Sequence, residues 1–192
     1  AGVSIMKVSR VSNENYLFVD LKLSEITKAG SFDILFKKGA KTILKYEYQL
    51  LERKEGSAER LSYTPADVMY LITPDRFANG NMANDNVEGL PEGLDREQKD
   101  GRHGGDIQGI IDHLDYISDM GFTSIWSTPL LENNQTSYSY HGYAITNYYQ
   151  IDPRFGTNED YCKFSKQAKK KGIGIIMDIV LNHCGSEHWW MK

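Results

Sequence analysis

Asn79, Asn81, Asn84, Asp85 and Asn86 crowd the end of the run DRFANGNMANDN. Short carboxylate, amide and backbone oxygens at that density are the donors a hard cation such as calcium takes, because it gathers about six to eight oxygen ligands. The run is not an EF-hand loop, since the twelfth position counted from Asn79 is Leu90 rather than the Glu that loop requires. Asn and Asp also dominate ordinary turns, so a turn-rich surface loop stays open beside the cation reading. Further on, His103-Gly104-Gly105-Asp106 enters a helical pattern. Two glycines permit close backbone approach, and free amides at a helix start attract anions. Asp106 works against an anion, since its carboxylate would cap those amides. A glycine carbonyl with that carboxylate would suit a cation, and a simple hinge with an N-cap accounts for the same residues.

A second stretch, NNQTSYSYHGYAITNYYQIDPRFGT, carries tyrosines at 138, 140, 143, 148 and 149. Aromatic faces among amides and hydroxyls suit carbohydrate, whose rings show C–H faces to aromatics and hydroxyls to polar groups. Tyrosines in a large loop can equally be packing residues. The third constellation is Asp178-Ile-Val-Leu-Asn182-His183. An unpaired carboxylate inside an apolar strand is costly, so Asp178 is read as partnered, with Asn182 and His183 following at the strand's carboxyl end. A buried Asp tying down a loop and a core histidine are the structural alternatives.

These residues must be held by elements of two kinds. The first fifty positions read as strands, VSIMKVSRV, NYLFVDLKL, SFDILFKK and KTILKYEYQLL, separated by turn residues. In NYLFVDLKL the apolar Leu17, Val19, Leu21 and Leu23 alternate with other residues, the pattern of a half-buried antiparallel strand. This is a β-sandwich signature, although four strands are few for a closed one. The charged segment 52–67 is the expected linker. From Val68 the pattern becomes strand–helix–strand–helix–strand: VMYLI, a helix with Ile107, Ile110, Ile111, Leu114, Ile117 and Met120 on one face, FTSIWS, a helix opened by Thr157 with Asp160 in a weakened capping box, and IGIIMDIVL, an apolar strand of the kind buried on both faces. That order predicts a parallel sheet with chemistry at its carboxyl ends. The connections 73–105 and 128–156 that leave those ends far exceed the usual 2–6 residues or so of such loops, and their aromatic and Asx content argues against disorder.

Composition limits the alternatives. The 192 residues carry 22 basic and 26 acidic side chains, a net charge of −4, which excludes a nucleic-acid or anionic-membrane binder working through net charge. No apolar run reaches the length of a membrane helix. Cys162 and Cys184 are too few for a disulfide framework and have no metal-type spacing.

Together VMYLITPDRFANGNMANDN, HGGDIQGI, GFTSIWSTPLLEN, YHGYAITNYYQIDPRFGT and MDIVLNHCG resemble, in order and spacing, the alpha-amylase family of glycoside hydrolases from residue 68 onward. The stretch from NYLFVDLKL to GSAERLSYTPADVMYLI resembles its neopullulanase and cyclomaltodextrinase branch, whose members carry an immunoglobulin-like N-terminal domain. The resemblance implies a multidomain β plus α/β fold: residues 1–60 as part of an immunoglobulin-like β-sandwich, and residues 67–192 as the first three strands of a (β/α)8 TIM barrel.

The resemblance also implies roles. Asp178 and His183 would hydrogen-bond the glucose ring at the cleavage subsite, Tyr143 would stack on it, His141 would lie nearby, and Asn182 would order the adjoining loop. Asn79, Asn81, Asn84, Asp85, Gly105 and Asp106 would form a structural calcium site, with Asn81 standing where many relatives have Asp. The implied chemistry is retaining hydrolysis of α-glucosidic bonds in maltodextrins, pullulan or cyclodextrins. Homodimerisation through the N-terminal domain belongs to the same picture. In the family the catalytic carboxylates follow the fourth, fifth and seventh strands, whereas a full barrel takes about 250 residues and 126 run from Asp67 to Lys192. The chain alone is therefore expected to be inactive. Its rivals are a non-catalytic glucan-binding module and a phosphate-binding α/β protein using HGGD.

Overall fold

Turn residues divide the first fifty positions into two antiparallel hairpins in a computed structural model that describes residues 2–192. β1 (Val3–Arg10) pairs with β2 (Leu17–Leu23), and β3 (Gly30–Lys38) with β4 (Lys41–Leu50). Each hairpin is its own two-stranded sheet. Two-stranded sheets bury little, since nothing lies across their faces to exclude water. None of the described residues up to Leu61 is buried. Along β2 only Val19 and Leu21 are half-buried, while Leu17 and Leu23 stay exposed, so the period-two pattern is real but only partly covered.

Residues 62–192 form a second unit, and the apolar core lies there. Its centre is a parallel sheet in the order β5 (Met69–Ile72), β6 (Ser124–Ser127), β9 (Gly174–Met177). Leu71 pairs with Trp126 and Trp126 with Ile176, so these three residues share one face. Neighbouring positions point the other way, where Ile72 and Ile125 are buried with the helices.

Between β5 and β6 run α1 (Pro74–Phe77), a 3-10 turn at Met82–Asn84, α2 (Ile107–Asp112) and α3 (Leu114–Asp119). Ile107, Ile110, Ile111, Leu114 and Ile117 are buried as the periodicity requires. Two expectations are corrected here. The single helix is broken at His113, whose Nδ1 donates to Gly109 O at 2.7 Å and so takes the carbonyl that an unbroken helix would give to the His113 amide. Met120 falls beyond α3 and is exposed.

Between β6 and β9 lie β7 (Leu131–Glu132), a 3-10 turn at Ser139–His141, β8 (Asn147–Ile151) antiparallel to β7, and α4 (Asn158–Lys170). Thr157 and Asp160 make the full reciprocal capping box, since the Thr157 hydroxyl accepts from the Asp160 amide and the Asp160 carboxylate from the Thr157 amide. The third strand is shorter than its apolar run. β9 ends at Met177 and lies at the sheet edge, its residues half-buried or exposed, and Ile179 and Leu181 follow in irregular, exposed chain. An edge strand has one pairing partner, so it lacks the two-sided cover that IGIIMDIVL suggested.

Candidate functional site

Asp178 follows β9 directly, two positions beyond Ile176 and so on the same side of the sheet as Trp126. It is half-buried rather than inside the strand, and it is not unpaired. Its Oδ2 accepts from Trp126 Nε1 and from Tyr143 OH, each at 3.1 Å. Both donors reach the same oxygen. Burial, with the Asp178 hydrogen bond and charge, pushes the Tyr143 hydroxyl above its ordinary value, which keeps it a proton donor at neutral pH.

Tyr143 is held from three directions. Its amide donates to His141 Nδ1 at 2.9 Å, its carbonyl lies 3.1 Å from His183 Nε2, and its hydroxyl reaches Asp178. A carbonyl only accepts, so His183 carries a proton on Nε2; an amide only donates, so Nδ1 of His141 is bare. The His141 and Tyr143 rings stack with centroids 5.8 Å apart, yet the Tyr143 ring stays 38% exposed. Burial pushes His141 below its ordinary value against the opposing charge of Glu92, which favours the neutral imidazole that this contact needs. Gly142, between the two rings, has φ +82°, and a Cβ there would run into the Pro129 carbonyl, so the turn depends on glycine.

His183 thus contacts the Tyr143 backbone carbonyl through Nε2. The chain behind it is tied by Tyr148, whose hydroxyl is shared between Val180 O and His183 O at 2.9 and 2.8 Å. Asn182 Nδ2 lies 3.5 Å from His183 Nδ1. The structure therefore brings Asp178, His141, Tyr143 and His183 together at the carboxyl ends of β6 and β9. Trp126 joins them unforeseen. Its only signal in the sequence was its place in FTSIWS, on the opposite side of the strand from the core residue Ile125.

Beneath this cluster lies a polar network that the sequence reading also missed. Asp152 and Arg154 are buried, and Arg154 grips Asp152 with Nε and Nη2 at 2.9 and 2.7 Å while donating to Asn133 O and Glu92 O. Burial alone would raise the Asp152 carboxyl, but the Arg154 hydrogen bonds and charge, with Arg102, outweigh it and hold it below its ordinary value. The only hint was an Asp and an Arg two positions apart in DPRF.

The oxygen-rich loop is ordered differently from its sequence. Asp106 caps α2, its carboxylate accepting from the amides of Gly80, Asn81 and Gly109. Those bonds fill the anion-attracting helix start, which disfavours phosphate at HGGD. Asn81 Oδ1 accepts from the Ala83 amide and opens the 3-10 turn. Asn79 donates to Asp85 Oδ1 at 2.7 Å, while Asn79 Oδ1 and Asn84 Oδ1 are buried without partners. Buried amide oxygens are normally satisfied, so these two are the donors that fit a hard cation. Gly104, not Gly105, faces this group: a Cβ on Gly104 would lie 2.6 Å from Asp85 Oδ1, whereas one on Gly105 would meet the backbone of Pro74 and Asp75. Among the described residues no three His, Cys, Asp or Glu side chains gather as a metal cluster, so a cation here would draw on the Asp85 carboxylate together with amide and carbonyl oxygens.

Comparison with known proteins covers both units. The family described as alpha amylase, catalytic domain, matches residues 71–192, and that described as cyclomaltodextrinase, N-terminal, matches residues 1–54. A cyclomaltodextrinase of Geobacillus thermopakistaniensis (strain MAS1) is 43% identical over 120 residues, which cover 62% of this chain and 20% of that protein. Neopullulanase 2 of Thermoactinomyces vulgaris is 38% identical over 126 residues, covering 62% and 20%. The crystal structure of an Anoxybacillus alpha-amylase superposes with a TM-score of 0.59 at 43% identity, covering 65% of this chain and 26% of that one. The chain thus spans about a fifth of the length of these two curated relatives.

Proposed function

This chain belongs to the alpha-amylase family, a TIM-barrel family, and from that membership and the Asp178 cluster we propose that it is the N-terminal portion of a retaining α-glucan hydrolase of the neopullulanase and cyclomaltodextrinase type. The observation that carries the reading is the convergence of Tyr143, His141 and Asp178 at the carboxyl ends of parallel strands, where barrel enzymes bind substrate. Tyr143 offers an aromatic face to a glucose ring. Among the described residues no donor reaches Asp178 Oδ1, so it can accept from sugar hydroxyls while Trp126 and Tyr143 fix Oδ2.

The face of the sheet that carries Leu71, Trp126 and Ile176 supports a partial barrel. Leu71 and Trp126 are 57% and 40% exposed on it, apolar area of the kind that further strands would enclose. In this reading residues 1–60 are part of an immunoglobulin-like domain through which the enzyme dimerises. Calcium would be held by Asn79, Asn84 and Asp85 with backbone oxygen from the Gly104 segment, and it would brace the loop that leads into α2; Asn81 and Asp106 would join only by sharing oxygens already bonded to amides.

In this proposal the catalytic nucleophile and acid lie on later strands, so substrate grip and chemistry are separable. The test uses maltoheptaose with the 192-residue chain and with the same chain extended through the remaining strands. The short chain should release no sugar, and the extended one should hydrolyse with the α-anomer as first product by NMR. Turnover by the short chain, or a β-anomer first product, overturns the proposal. Calorimetric affinity in both without turnover in either favours a glucan-binding module.

A further inference from the structure

Tyr138 is the one non-glycine among the described residues with a left-handed backbone, φ 60° and ψ 20°. An aromatic residue disfavours that conformation, so something must hold it there. Glu92 does: one carboxylate oxygen accepts from the Tyr138 amide at 3.1 Å and the other from the Ser139 amide at 2.6 Å. Glu92 is itself anchored, since its carbonyl accepts from Arg154 Nη1 at 2.8 Å. The buried Asp152–Arg154 pair thus backs a strained turn whose outcome is a ring 54% exposed to solvent. Core packing does not call for that ring.

The ring borders a cavity of about 720 Å³, which Asn86, Leu94, Gln98, Asp100 and Arg102 also line. That volume is in the range of small-molecule sites. Arg102 is 2% exposed, its Nη1 donates to Ser139 Oγ at 3.2 Å, and its Nη2 has no partner among the described residues. Asn86 Oδ1 accepts from the Leu94 amide, which leaves its NH2 group to donate. Aromatic face, amides, carboxylate and guanidinium are the groups that recognise a neutral polyhydroxylated ring. An anion is disfavoured by the carboxylates of Glu92, Asp95 and Asp100 on the same wall.

We propose that Tyr138 and this cavity form a second sugar-binding subsite, which takes a glucose unit of an α-glucan chain. It shares no residue with the Asp178 cluster, and the two flank one 3-10 turn, Tyr138 before Ser139 and Tyr143 just after His141. The ligand class rests on the α-glucan reading above.

Calorimetry of the 192-residue chain with maltoheptaose tests the subsite. Tyr138→Ala should weaken binding about three- to tenfold, the worth of one aromatic contact. Tyr138→Phe should keep it, and the loss should recur in a Tyr143→Ala background. Gln98→Ala, on an exposed side chain, gives a second readout if Tyr138→Ala folds poorly, with about a twofold loss expected. Unchanged affinity in Tyr138→Ala, a loss that vanishes without Tyr143, or no measurable affinity of the parent chain each overturns the subsite. The hydrolysis and anomer assay reads the later strands and judges the enzyme proposal independently.

Discussion

Trp126 donates its indole N–H to Asp178 Oδ2 at 3.1 Å, joining the central strand to the residue just past its neighbour. The bond follows from register: Trp126 pairs with Ile176, and Asp178 stands two residues on, so both side chains leave the same face. With Tyr143 on the same oxygen, the carboxylate can neither rotate nor drop toward the apolar sheet without losing two donors.

Trp126→Phe keeps the apolar contact and removes one of these donors. A hydrogen bond to a charged acceptor on a partly exposed face contributes about 1 kcal/mol. Urea unfolding should show a loss of that size, and Asp178→Asn should shift the Trp126 indole resonance in 15N-edited NMR spectra. An indole resonance indifferent to Asp178 would show that the bond is not formed in solution.

Asp152→Ala leaves Arg154 buried without its charge partner, and breaking a buried pair in that way costs about 3–5 kcal/mol. The pH dependence follows from the same contact. Asp152 is held below its ordinary 3.8, so the unfolded chain binds its proton first as pH falls. Its contribution is complete above that value and is lost as pH drops through the depressed one. Stability followed from about pH 5 downward through 3.8 and below should therefore fall less steeply in Asp152→Asn, and an unaltered acid slope contradicts the assignment.

His141 acts in a higher window. Burial lowers it from 6.5, so the folded chain resists protonation that the unfolded chain accepts. Stability should be full above about pH 6.5 and fall as pH drops through the lowered value. Protonation also removes the Nδ1 lone pair that accepts from the Tyr143 amide. The Tyr143 amide resonance should move with the His141 titration; if it moves with His183 instead, the clamp is wrongly assigned. Burial lowers His188 as well, so the stability measurement belongs in a His188→Phe background.

Calcium at the Asn79–Asp85 loop should stabilise the fold by mass action, by about 2.7 kcal/mol at a hundredfold excess over Kd, and so raise the melting temperature. Asp85→Ala removes the one carboxylate not already engaged by backbone amides and should abolish the shift. Asp106→Asn tests the other half of the geometry. Asn can still accept from Gly80 and Gly109 through one oxygen, but an NH2 in place of Oδ2 faces the Asn81 amide, so basal stability should fall by about 1–3 kcal/mol. A calcium shift that survives Asp85→Ala points to a different site.

Much of this was legible in order of residues alone. The four N-terminal strands, β5, β6 and the face from Ile107 to Ile117 follow from period-two and period-3.6 patterns, because those periods are local properties of the backbone. Asp178 and His183 were marked by residue type at a strand end and Tyr143 by its tyrosine-rich loop, while His141 came from the family resemblance alone. The break at His113 was hidden because it depends on a side chain taking a backbone carbonyl, which no apolar period records. The short β9 was hidden because an apolar run does not say whether a strand has one neighbour or two.

The sequence by itself determined most strands and helices, their order, the family and the residue types at the rim of the strand ends, since these are written in local pattern and motif. Only the tertiary structure decided which atoms meet. It put Trp126 on Asp178, turned His183 Nε2 toward Tyr143 O, bound Asp106 to backbone amides, and set Asp152 against Arg154 beneath a strained Tyr138. Several of these contacts join residues far apart in the chain: 26 positions between Gly80 and Asp106, 40 between Tyr143 and His183, and 52 between Trp126 and Asp178. Hydrogen-bond distance and burial select them, and both exist only once the chain is packed.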